Sequence, residues 1–332
     1  MITTKWLYAL IPLAVLAIGY AVGPHPEKPV YDKSLPAVPT DPDALEQHIF
    51  QNESRHRLKP GNEAQIVWAD SSRRKTPYSV VYLHGFSASQ EEGNPVHRIF
   101  ASTFGCNLFL ARLADHGIDT TEQLLLFTPD RVWRSAREAL AIGRALGDSV
   151  VLISTSTGGT LALMLAAAYP EQVHALVNLS PNIAIRNPLA FLANNPWGNQ
   201  LGQLVVGGQY QVINYPVERQ PFWNGKYRIE AIAQLQELLE TSMTRETFQR
   251  VSCPTLTLYY YKNEQEQDPT VRVSAMLEMH RQLATPPEKK WERAIPTAGN
   301  HVIGSALVSG DLPAVNAAIH EFAVRVLRMT PH

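Results

Sequence analysis

Residues 149–169 constrain what this chain can fold into more than any other stretch. The run Ser149-Val-Val-Leu-Ile-Ser154 has no apolar–polar alternation, and within three residues it passes into a segment that is apolar nearly all round: Leu161, Ala162, Leu163, Leu165 and Ala166, ending at Pro170. A short unbroken apolar run reads as a strand covered on both faces, as in a parallel sheet flanked by helices. A helix apolar on every side is itself buried. Almost no chain separates the two, so the backbone must turn sharply at Ser154-Thr155-Ser156-Thr157-Gly158-Gly159, with Ser156 at the apex.

The rest of the chain agrees with such a sheet. Further strands are expected at residues 79–83, 107–111, 175–179 and 255–260, with an antiparallel edge at 64–68. Residues 130–147 form an amphipathic helix with Val132, Trp133, Ala136, Ala139, Leu140 and Gly143 on one face, and residues 313–328 form a closing helix. Strands alternating with helices give an α/β fold with a mostly parallel sheet. The stretch 181–250 breaks the alternation. It is too long for a strand-to-helix connection, and its many apolar residues (Leu189, Phe191, Trp197, Phe222 and Trp223 among them) suggest a lid over a site.

Sharp strand-to-helix turns with serine at the apex lift a hydroxyl above the sheet's C-terminal edge, usually as G-x-S-x-G. Here Ser154 replaces the first glycine, a small-for-small exchange. Serine and threonine also cap helices for backbone reasons alone, so the context matters. Upstream, the apolar run Val80-Val-Tyr-Leu83 ends in His84-Gly85-Phe86. Acyl transfer builds an oxyanion that backbone N–H groups stabilise; the amides of Phe86 and Thr157 are the candidate pair.

These motifs resemble the α/β-hydrolase superfamily, in particular its carboxylesterase and monoacylglycerol-lipase-like branch. The matching elements are Leu83-His84-Gly85-Phe86, the stretch Arg112-Leu-Ala-Asp115-His116-Gly117, the Ser156 elbow, an acid after a late strand, and a terminal histidine; together they cover residues 76–180 and 251–328. The resemblance implies the α/β-hydrolase fold and the order serine, acid, histidine. On that order the base is His301, on the small-residue loop Thr297-Ala-Gly-Asn-His301. The acid is expected after residues 255–260, where Asp268-Pro-Thr-Val fits best and Glu264 and Glu266 are the rivals. Glu91, Glu92 and His97, after the oxyanion loop, read as solvated loop side chains that otherwise would line an entrance.

Composition narrows the function further. With 29 Lys and Arg against 30 Asp and Glu, the net charge is −1, and no basic stripe suggests a nucleic-acid partner. No cluster has zinc-ligand spacing and no glycine loop cradles phosphate, so neither metal nor cofactor is expected. The two cysteines, Cys106 and Cys253, are expected to be free. The reading is a serine hydrolase cleaving a carboxylic ester through an acyl-enzyme on Ser156; its alternatives are a thioesterase, an amidase or peptidase of the same fold, and a non-catalytic membrane-tethered binding protein.

The N-terminus carries no charged residue from Trp6 to Pro24 after a lone Lys5. As a helix that run would span about 28 Å. It is therefore expected as a transmembrane anchor (residues 1–25) with an extracytoplasmic catalytic domain, or as a cleaved signal releasing a secreted or periplasmic enzyme. The proline-rich residues 26–45 read as a spacer, residues 46–180 and 251–332 as the catalytic domain, and 181–250 as the lid.

Overall fold

The computed structural model describes residues 4–332, with side chains from Pro12 onwards. Seven strands make the main sheet: β1 (Gln65–Val67), β2 (Thr76–Leu83), β3 (Asn107–Leu110), β4 (Gly147–Thr155), β5 (Val173–Leu179), and, after a hairpin of β6 (Tyr210–Val212) and β7 (Lys226–Arg228), β8 (Thr255–Tyr259) and β9 (Lys290–Ala294). Their spatial order is β1-β3-β2-β4-β5-β8-β9. Only the β1 pairing is antiparallel. The expected edge strand and parallel sheet are both present.

Strand alternation distributes the core over two faces. Val81 and Leu83 of β2, with Val150 and Leu152 of β4, face one cluster; Val80 and Tyr82, with Val151 and Ile153, face the other. The helices α2 (Pro42–Glu53), α4 (Pro129–Leu146) and α5 (Thr157–Ala168) cover the first face; α3 (Val96–Thr103) and α10 (Leu312–Arg325) cover the second through Phe100, Val315, Ile319 and Phe322. Each such side chain removed from water contributes about 1.5–3 kcal/mol. Because β4 is covered on both sides and sits fourth in a seven-stranded sheet, its C-terminal end is a firmly held point. Ligands of open α/β sheets gather outside such strand ends.

Between β5 and β8 the chain leaves the sheet for α6 (Gly198–Val206), the β6–β7 hairpin, α7 (Glu230–Ser242) and α8 (Arg245–Gln249); α9 (Val273–Gln282) lies between β8 and β9. The insertion is fastened to the loop after β2, where Asn224 N–H donates to Ser87 O at 2.7 Å. Both cysteines are free, Cys106 buried and Cys253 half-buried.

The N-terminal expectation requires correction. Among the described residues no helix is long and apolar enough to cross a membrane, so the transmembrane helix and the membrane partner read from composition are withdrawn. Residues 1–3 and the side chains of residues 4–11, part of the expected segment 1–25, lie outside the described residues. Helix α1 (Thr4–Ala21) has 18 residues and contains Pro12. The uncharged run reached Pro24 only by counting residues beyond the helix end. Beyond the helix end, Pro24 O accepts the Trp197 N–H from the insertion, and within the last turns of α1 Gly19 O accepts the Trp197 indole Nε1–H, each at 2.9 Å. The following segment has no regular structure and lies along α4, held by Val30 N–H to Asp130 Oδ1 at 2.7 Å and Arg137 to Asp32 Oδ2 at 2.7 Å.

Candidate active site

Four loops leave the C-terminal ends of β2, β4, β8 and β9, and they bring Phe86, Ser156 and His301 to one cavity, with Asp268 buried behind His301. At the end of β4, Ser156 adopts φ 54° and ψ −120°, a conformation L-residues seldom take. The turn is held by Ser156 N–H donating to Leu179 O at 3.0 Å and by Ser156 O accepting from Asn182 N–H at 2.9 Å. Helix α5 starts at once, packed so closely under β2 that a Cβ on Gly158 would stand 2.0 Å from Leu83 O. Ser154, in the place of the usual glycine, is buried and hydrogen-bonds Asn178 Oδ1 at 2.9 Å. The extra hydroxyl therefore has a partner, and the elbow forms without the first glycine.

The loop after β2 lies directly against this turn. A Cβ on Gly85 would stand 2.9 Å from Ser156 Cβ. His84 braces the loop from behind: its Nε2 accepts from Leu113 N–H at 3.1 Å, which leaves Nδ1–H to donate to Gly85 O at 2.9 Å. Burial holds that imidazole neutral, its pKa well below the ordinary value. Phe86 lines the cavity. Thr157 is the first residue of α5, so its N–H has no intrahelical acceptor. Both proposed oxyanion donors thus flank Ser156.

Asp268 follows β8 and is fully buried. Its Oδ1 accepts the Thr270 and Val271 amides at 2.8 and 2.9 Å, and its Oδ2 accepts His301 Nδ1–H at 2.7 Å. Burial alone would raise the Asp268 pKa, but the His301 charge and these hydrogen bonds bring it below the ordinary carboxylate value. His301 mirrors this: burial pulls its pKa down, yet the Asp268 carboxylate outweighs burial and raises it. With Nδ1–H committed to Asp268, His301 Nε2 is the acceptor, and it is buried without a protein partner. It shares the cavity with Ser156. The rival acids stay outside: Glu264 is bonded to Tyr261 and Gln267, Glu266 to Lys262 and Asn263, all on an exposed turn.

The cavity encloses about 420 Å³, within the usual range for small-molecule sites. The insertion supplies a large part of its wall, including Ile213, Tyr215, Arg219, Trp223, Tyr227, Ile232 and Leu235. A hollow of about 490 Å³ beside Ile49, Phe50 and Ile66 contains none of these catalytic candidates. Among the described residues no cluster of His, Cys, Asp and Glu could hold a metal ion.

Two site residues were not found from the sequence. Glu92, read there as solvated in preference to lining the entrance, is 3% exposed and lines the cavity, where it accepts the Gly85 N–H. Burial pushes its pKa up from 4.5 to about 7, opposed by the Gly85 hydrogen bond, by His301 and Arg219, and by a Trp223 hydrogen bond. Arg219 enters from the insertion and had no sequence signal. His97 likewise is buried, its Nε2 bonded to Gln90 O at 2.9 Å, but it does not line the cavity.

The likeness to known proteins agrees with this architecture. Among solved structures, a metagenome-derived lipolytic enzyme described with LipS and LipT superimposes with a TM-score of 0.64 at 17% identity, covering 80% of this chain and 98% of that one. A monoacylglycerol lipase from Paleococcus ferrophilus gives 0.57 at 12%, covering 79% and 97%. A soluble variant of monoglyceride lipase from Saccharomyces cerevisiae gives 0.56 at 12%, covering 80% and 90%. At such identities the likeness concerns the fold. No curated protein matches in sequence. Residues 80–316, however, match the alpha/beta hydrolase family, from the strand before the oxyanion loop to beyond His301, and the chain belongs to that family.

Proposed function

We propose that the chain is a carboxylic-ester hydrolase working through an acyl-enzyme on Ser156. The observation that carries the reading is the oriented base: His301 Nδ1–H is fixed on Asp268 Oδ2 at 2.7 Å, while its unpartnered Nε2 shares a cavity with the elbow serine. His301 Nε2 takes the Ser156 Oγ proton as Oγ attacks the ester carbonyl. The Phe86 and Thr157 amides donate to the tetrahedral oxyanion. His301 then returns the proton to the leaving alkoxide. A water, deprotonated by the same Nε2, attacks the acyl-enzyme and releases the acid, and Ser156 recovers its proton. Asp268 stays ionised throughout and holds the imidazole in the productive tautomer. Residues 181–250 act as the lid of this site.

The test is a fluorophosphonate probe followed by peptide mapping, run beside turnover of p-nitrophenyl esters of increasing chain length. Modification of Ser156 and its loss in Ser156→Ala are expected, with ester turnover lost in the same variant. Turnover surviving in Ser156→Ala would refute the reading.

A further inference from the structure

Arg219 is held in an unusual way for a cation on the wall of the cavity that Ser156 lines. Its guanidinium carbon stands 4.5 Å from the Tyr215 ring centroid and 4.8 Å from that of Trp223, so two aromatic rings grip it. Nε is buried without a hydrogen-bond partner. Among the described residues Arg219 belongs to no ion pair within 4.0 Å, although it lines the cavity that contains Ser156 and His301. Glu92, on the same cavity wall, interacts with it electrostatically, and burial keeps that carboxyl largely proton-bearing up to about neutral pH.

A guanidinium fixed by stacking and lacking a counter-ion is pre-organised to receive an acceptor from outside the protein. Planar, delocalised and weakly hydrated, it suits carboxylate in particular. Burial strengthens such a contact, because water competes for it less. Part of the remaining wall is apolar (Ile185, Ile213, Ile232, Leu235) and accommodates a short carbon chain, and Arg219 is its only Lys or Arg side chain. We infer that Arg219 is a specificity-determining residue that selects esters bearing a carboxylate a few carbons from the scissile bond. The inference rests on the ester-hydrolase reading above and names its substrate class.

Two isosteric pairs test it. On the acyl side, p-nitrophenyl hexanoate is compared with the p-nitrophenyl monoester of adipate. On the alcohol side, propyl hexanoate is compared with 2-carboxyethyl hexanoate. The readout is the ratio of kcat/KM for the anionic over the neutral ester, in the wild type and in R219Q and R219K. In at least one pair the ratio should fall about 10- to 100-fold in R219Q, mainly through KM, as expected for loss of one charge-assisted contact. R219K, which keeps the charge, should recover part of it. Unchanged ratios in both pairs, with Ser156 still labelled by fluorophosphonate, would overturn the role of Arg219 and leave the hydrolase reading standing. Absence of both labelling and turnover in the wild type would overturn the hydrolase reading and this inference with it.

Discussion

Replacing Glu92 with glutamine removes a titrating proton from the wall of the catalytic cavity while keeping the shape of the side chain. The amide oxygen can still accept the Gly85 N–H, so the loop carrying Phe86 keeps its anchor. What changes is the response of stability to pH. The Glu92 carboxyl titrates near 4.5 when exposed and near 7 in the folded chain, chiefly because it is buried. Between these values the folded state binds the proton and the unfolded state releases it, so stability falls as pH rises. At roughly 1.36 kcal/mol per pH unit, the part present below pH 4.5 and lost by pH 7 amounts to about 3 kcal/mol. For a chain of 332 residues that corresponds to about 4–5 °C in Tm. Melting curves of wild type and Glu92→Gln from pH 4.5 to 8.5 should nearly coincide at the acid end. They should separate through pH 7, with the variant more stable above it. His301 also has a raised pKa and also loses stability as pH rises; it does so in both proteins, less in the variant because the Glu92 charge contributes to that rise, so its change adds to the difference with the same sign. The acid limb of kcat/KM should move to lower pH as well, since the Glu92 charge helps raise the His301 pKa. Parallel melting curves across the range would refute a buried, proton-bearing Glu92.

Asp268→Asn should lower turnover by about 10⁴, because it removes the acceptor that fixes the His301 tautomer, whereas Glu264→Gln and Glu266→Gln should stay within about twofold of wild type. A crippled Glu264→Gln measured in the same esterase assay would move the acid elsewhere. Gly158→Ala forces a Cβ to within 2.0 Å of Leu83 O and 2.8 Å of His84 O, so α5 must shift from β2 at a cost of at least about 2–3 kcal/mol. A melting temperature within a degree of wild type would show that the helix-to-strand contact is looser than described.

Sheet and elbow were legible for one reason: they are encoded locally. Strand β4 is apolar on both faces because helices cover both, and that pattern survives in the bare string Val150-Val-Leu-Ile153. Ser156 stands where strand and buried helix leave no room for a loop. The placement of Asp268 needed the superfamily order, since three carboxylates lie within five residues; burial then separates them, with one beneath His301 and two on an exposed turn. Glu92 could not be read this way. The string Gln90-Glu-Glu-Gly-Asn94 is as polar as any surface turn, and what buries Glu92 is the insertion, whose Arg219 and Trp223 lie more than a hundred residues further along. The transmembrane reading of the N-terminus failed for a related reason. Absence of charge was counted along the chain, but whether a segment spans depends on where its helix stops. Here the helix ends at Ala21, and Trp197 of the insertion bonds the chain on both sides of that end. The same insertion meets both features that the local pattern missed, and it brings Arg219 to the cavity that Ser156 lines. If Arg219 selects the substrate as proposed, that selection is written in residues 181–250, the stretch whose sequence shows least regularity.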